Sequence, residues 1–100
     1  MGLSFNHKEA IRKQHPLYGQ KRKQVAHVRD RFLNGSDDDE NLRPLLVSEH
    51  IVDHYSKAVN TEEWSIAIKQ YNAAHLLAVN ATPEEIKEAN RLIAQMPHRR

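Results

Sequence analysis

The sequence predicts an all-α fold: a small bundle of four main helices, about 19–34, 44–59, 62–79 and 83–96, plus a short N-terminal helix or arm. Three observations predict it. Glycine (3) and proline (4) are scarce, which disfavours turn-rich β architectures. Apolar residues recur at helical spacing in separate windows. The polar clusters between those windows read as helix caps. No segment shows the apolar/polar alternation of a half-buried strand, and there is no internal repeat. One hundred residues form a single domain, 1–100.

The first element spans 1–18 as a helix or arm. Asn6 with Glu9 three residues on fits a capping box, with Phe5 at the staple position. Pro16 excludes His15 from the α region, so this helix ends near Gln14. In the second element, 19–34, Val25, Val28 and Phe32 fall within about 60° of one another on a helical wheel. Gly35 after Asn34 suits a helix C-terminus. Residues 35–43 form an acidic connection, and Pro44 opens the third element as a first-turn proline. There Val47, Ile51, Tyr55, Ala58 and Val59 share a face, while Asp53 and Lys57 pair at i,i+4.

Asn60-Thr61-Glu62-Glu63 caps the fourth element. Trp64, Ile68, Tyr71, His75 and Ala78 make one stripe on it, and Ile66, Ala73 and Leu77 a second on nearly the opposite side. A helix apolar on two sides reads as the central one, with Trp64, Tyr71 and His75 packed in the core. Thr82-Pro83-Glu84-Glu85 combines an N-cap, an N1 proline and a capping-box glutamate before the stripe Ile86, Ala89, Leu92, Ile93 and Met96. Residues 97–100 form a basic tail.

Composition removes several function classes. The absence of cysteine excludes a disulfide framework, a thiol nucleophile and a cysteine zinc site. No apolar stretch is long enough to span a membrane. The N-terminus lacks the apolar segment of a secretory signal, so the expected location is cytoplasmic. The net charge of +2 sums opposed blocks: +6 over residues 1–35, −6 over 36–66 and +2 over 67–100.

The basic block supplies the candidate contact residues. Lys21, Arg22, Lys23, Arg29 and Arg31 sit on the expected helix 19–34, with Leu17 and Tyr18 just before it as unburied apolar groups. Their charges surround the apolar stripe rather than forming a single phosphate-facing row. Neither short-linked helix pair reads as helix-turn-helix. The would-be recognition helices begin with Glu62-Glu63 and Glu84-Glu85, and carboxylates there repel DNA.

Other constellations fail on spacing. His50 and His54 lie one turn apart, as metal-chelating histidines do, but their order is not HExxH and a third ligand is missing from the helix. Asp37-Asp38-Asp39-Glu40-Asn41 has Leu42 where a calcium loop needs glycine. The serines lack an elbow motif, and no glycine-rich phosphate loop exists.

The sequence therefore reads as a small non-enzymatic accessory or regulatory protein, with no catalytic residues, cofactor or metal. It binds and modulates or inhibits a protein partner through its charged faces and N-terminal segment. The alternative is a nucleic-acid-binding regulator acting through helix 19–34. A homodimer covering the N-terminal apolar residues is also compatible. Short cysteine-free chains of this kind are common among the accessory proteins of phages and plasmids.

Overall fold

A computed structural model describes residues 3–97 and divides the chain into two compact units, Met1–Leu46 and Val47–Arg100. The fold is mixed α/β and mostly helical, not all-α: four helices accompany a two-stranded antiparallel sheet. The element order is α1 (Phe5–Arg12), β1 (Lys23–His27), β2 (Leu42–Leu46), α2 (Val47–Asn60), α3 (Trp64–Val79) and α4 (Pro83–Ala94), with 3-10 turns at Arg31–Leu33 and Asp39–Asn41.

The correction falls on the expected helix 19–34. Gly19 adopts φ +90° within the turns that follow α1, a conformation that stops a right-handed helix. The chain then runs extended as β1 and pairs with β2 in the register Lys23↔Leu46, Val25↔Pro44, His27↔Leu42. Pro44 is thus a strand residue and not a helix N1. Proline pushes Arg43 toward extended backbone, and it needs a position where no amide is required. Val28 donates to the Asn41 carbonyl at 2.9 Å. Counting in twos from that bond places Pro44 opposite Val25 at a non-hydrogen-bonded position.

Helix α1 packs on both strands, and Ile11, Ala26 and Leu42 are the buried apolar side chains of the first unit. The cap lies two residues before the expected Asn6. Ser4 is the N-cap and accepts from the His7 amide at 3.1 Å. Glu9 instead meets Arg12 at 3.1 Å and accepts from the Tyr18 hydroxyl.

So small an apolar core leaves much of the order to polar contacts. Asn41 organises the loop between the strands: its Nδ2 donates to the carbonyls of Arg29 (3.0 Å) and Ser36 (2.7 Å), and its Oδ1 accepts from the Arg29 amide (2.8 Å). Gly35 is required there by contact rather than by φ, because a Cβ would stand 1.7 Å from the Arg29 carbonyl oxygen.

In the second unit α2 is the central helix, packing against both α3 and α4. Val47, Ile51, Ala74 and Ala89 form its buried cluster, flanked by Val52, Leu77, Ala78, Ala81 and Ile86. Burying Val47 and Ile51 contributes about 1.5–3 kcal/mol each. Asp53 and Lys57 form the i,i+4 ion pair at 3.1 Å. Helix α3 starts at Trp64 behind Glu63, whose amide donates to Thr61 Oγ1 at 3.2 Å. Helix α4 opens with the capping box: the Glu85 amide donates to Thr82 Oγ1 and the Thr82 amide to Glu85 Oε1. The expected basic tail lies, from His98 onward, outside the described residues.

Two substitutions test this packing. Gly35→Ala, by forcing the loop off the Arg29 carbonyl, destabilises the chain by on the order of 3 kcal/mol in chemical denaturation. His54→Ala removes the hydrogen bond that His54 Nδ1 shares with the buried Gln70 side chain (2.6 Å). It lowers stability by about 1–3 kcal/mol.

Candidate functional site

The structure scatters the basic residues once expected on a single helix. Lys21 and Arg22 lie exposed in the turn before β1. Lys23 is buried, and its ammonium donates to the carbonyls of Leu17 and Lys21, closing that turn from inside. Arg29 donates through Nε to the Leu33 carbonyl at 2.6 Å. Arg31 grips Asp37 with two hydrogen bonds of 2.9 and 3.0 Å. Tyr18 is exposed at its ring but hydrogen-bonded to Glu9, and Leu17 is half-buried.

The opposed charge blocks therefore meet within the first unit. Asp37 takes both Arg31 and His27, the latter at 2.8 Å, while Asp39 lies 2.6 Å from His7 Nε2. The His27 hydrogen bond, with that of Arg31, holds the Asp37 carboxyl below its usual range. The Tyr18 hydrogen bond, with that of Arg12, does the same for Glu9, and the same carboxylate pushes the Tyr18 hydroxyl up.

The second unit carries a different kind of surface. Helix α3 turns Ala67, Gln70 and Ala74 inward. The large residues of the Trp64 stripe face outward. Trp64 is 78% exposed, Tyr71 43% and Ile68 40%, with Leu76 and Val79 also open. His75 lies on the same exposed side. This corrects the expectation that α3 is central and that Trp64, Tyr71 and His75 are core residues. Tyr71 is held edge-on against Tyr55 of α2, ring centres 5.8 Å apart. Beside it a groove of about 470 Å³ runs between α2 residues Tyr55, Ala58 and Val59, the Trp64–Tyr71 side of α3, and Ile93, Met96 and Pro97 at the end of α4.

The arrangement sets exposed aromatic side chains on a helix next to an apolar groove, the residue types that serve as anchors where proteins dock. Scattered single apolar residues need no explanation, but a continuous stripe along a whole helix does. The stripe was visible in the sequence. What hid its role was size: the sequence reading packs the large apolar residues in the core, whereas the side turned inward carries the small Ala67 and Ala74.

The histidine pair His50–His54 stacks with ring centres 5.0 Å apart, and His54 is turned to Gln70. Among the described residues no group of three or more His, Cys, Asp or Glu side chains is placed to hold a metal ion. No described helix is long and apolar enough to cross a membrane. No protein-family model, curated protein or solved structure matches the chain.

The pairing of Asp37 gives a pH dependence of defined sign. Its folded value lies below the unfolded one, so its stabilisation is fully present above about the ordinary 3.8 and is lost as pH falls through the folded value. Glu9 acts in the same direction from its ordinary 4.5. Acid titration of stability should show a loss in this range that is shallower in Asp37→Asn. An unchanged acid limb in that variant would refute the assignment.

Proposed function

We propose that this protein is a non-enzymatic accessory protein that acts by binding, and thereby modulating or inhibiting, a protein partner through the exposed face of α3. One observation carries the reading. The chain's sole tryptophan stands 78% exposed at the head of an apolar stripe, beside an apolar groove. Exposing tryptophan, tyrosine, isoleucine and valine together on one helix is costly in water. Such residues supply most of the energy at protein interfaces when a partner covers them. The working setting is the cytoplasm, where a cysteine-free chain lacks nothing that depends on thiols.

The geometry lends less support to a nucleic-acid role. Phosphate contact needs cations presented together on one surface. Here Lys23 points inward, and Arg29 and Arg31 bind their own loop. Of the expected contact cations, three are thus turned onto the first unit itself.

The double variant Trp64→Ser, Ile68→Ser tests the proposal. Both positions are exposed, so the helical circular dichroism should be retained and stability should change by less than about 1 kcal/mol. Affinity capture with nuclease-treated lysate should recover a partner with the unmodified chain and lose it with the variant. Equal recovery by both would sink the α3 reading, and recovery abolished by nuclease would favour nucleic acid.

A further inference from the structure

We infer that Asn34–Gly35 is a site of covalent self-modification, where the chain loses ammonia from the Asn34 carboxamide, and that the loop between β1 and β2 gates the reaction by holding Gly35 in place. The inference concerns the first unit and does not depend on the reading of α3.

Of the three glycines, only Gly35 follows an asparagine. Asparagine is among the chemically labile side chains. It is most labile before glycine, because a main-chain nitrogen with no side chain beside it attacks the carboxamide with least obstruction. Here the turn demands both residues. Asn34 sits at φ 65° and ψ 28°, a left-handed conformation that glycine and asparagine enter more readily than other residues. Gly35 is imposed by the Arg29 carbonyl, which leaves no room for a Cβ. The fold thus requires the pair whose chemistry is least durable. Asn34 is exposed, so water reaches it.

The reaction needs only water and hydroxide. The Gly35 nitrogen gives its proton to hydroxide and attacks the Asn34 Cγ. The new N–C bond closes a succinimide ring and the Cγ–Nδ2 bond breaks. The leaving nitrogen takes a proton from water and departs as ammonia, which regenerates the hydroxide. A water molecule then opens the ring at either carbonyl. One opening gives aspartate. The other gives isoaspartate, whose main chain runs through Cβ and Cγ and is longer by one methylene.

The closed loop blocks the first step. At ψ 28° the Gly35 nitrogen lies on the far side of the Cα–C bond from the Asn34 Cβ, so ring closure needs a large rotation of ψ. Gly35 opposes that rotation. Its amide donates to the carbonyl of the buried Asp30 at 2.9 Å, and the Arg29 carbonyl oxygen stands against its Cα. Asn41 fastens both flanks, its Nδ2 donating to the carbonyls of Arg29 and Ser36. The reactive form is therefore the opened fraction, and the rate follows its population. The two products then part. Aspartate accepts left-handed backbone as asparagine does, so its loop recloses. The added methylene of isoaspartate displaces Gly35 from Asp30 and Arg29, so that loop stays open.

The test incubates the purified full-length chain at mildly alkaline pH, in native buffer and in guanidinium chloride. Peptide mass mapping reads conversion of amide to acid at residue 34, and labelling by an isoaspartyl methyltransferase reads isoaspartate. In the unfolded chain Asn34 should convert faster than any other asparagine. In the native chain it should convert more slowly by at least about tenfold. Asn41→Ala, which unfastens the loop, should raise the native rate, and a variant whose first unit unfolds should react as the unfolded chain does. The isoaspartyl product should exchange its Gly35 amide hydrogen at least about tenfold faster than Asn34→Asp, which carries the same charge on an ordinary main chain. No preferential conversion at Asn34 in the unfolded chain overturns the site. Equal native and unfolded rates overturn the gate, as does an Asn41→Ala chain that reacts no faster than the unmodified one. Equal Gly35 exchange in the isoaspartyl product and in Asn34→Asp overturns the lasting opening.

Discussion

The rotation of α3 about its own axis decides what this protein presents to its surroundings. Two features set that rotation. Ala67 and Ala74 are small enough to let α3 approach α2 closely, and Gln70 between them hydrogen-bonds His54 across the contact. A buried amide is costly unless it is satisfied, so the helix cannot roll without losing that bond. With the alanines and Gln70 inward, Trp64, Ile68 and Tyr71 are left outward by the helical period alone.

The two units are ordered in different ways. The second uses apolar burial around α2, with Val47 and Ile51 meeting Ala74 and Ala89. The first has few buried apolar side chains and compensates with directed polar contacts. Asn41 bridges two carbonyls and an amide, the Lys23 ammonium closes a turn, and Asp37 joins His27 to Arg31. Exposed ion pairs contribute little individually. Here they share residues and span one loop, so they act together on its conformation.

Much of the second unit was legible in the residues. The Thr82-Pro83-Glu84-Glu85 signature is local chemistry, completed within one helical turn, and the capping box stands where it predicts. The windows of α3 and α4 follow from apolar period and punctuation in the same way. The first unit resisted because its sheet is not local. Nothing near Lys23–His27 marks a strand except that its partner, Leu42–Leu46, lies beyond a long loop. Val25, with Val28 just after the strand, fits a helical wheel equally well. Pro44 serves helix starts and non-hydrogen-bonded strand positions alike, and only pairing with Val25 separates the two. The candidate face was legible as a pattern but not as a surface, because period reveals that residues share a side and not which side is covered.

By itself the sequence determined the helical windows of α3 and α4, the body of α2 but not its start, the cap of α4, the Asp53–Lys57 pair and the segregation of charge along the chain. Each depends on residues within a few positions of one another. Only the tertiary structure decided that residues 23–27 extend into a strand, that Lys23 turns inward and Arg31 onto Asp37, that α2 rather than α3 is central, and that the aromatic stripe faces out. These depend on which distant segments meet. Between two apolar sides of one helix, that choice is set by how closely the partner helix can approach. Alanine and a satisfied glutamine allow a closer approach than tryptophan, tyrosine and isoleucine.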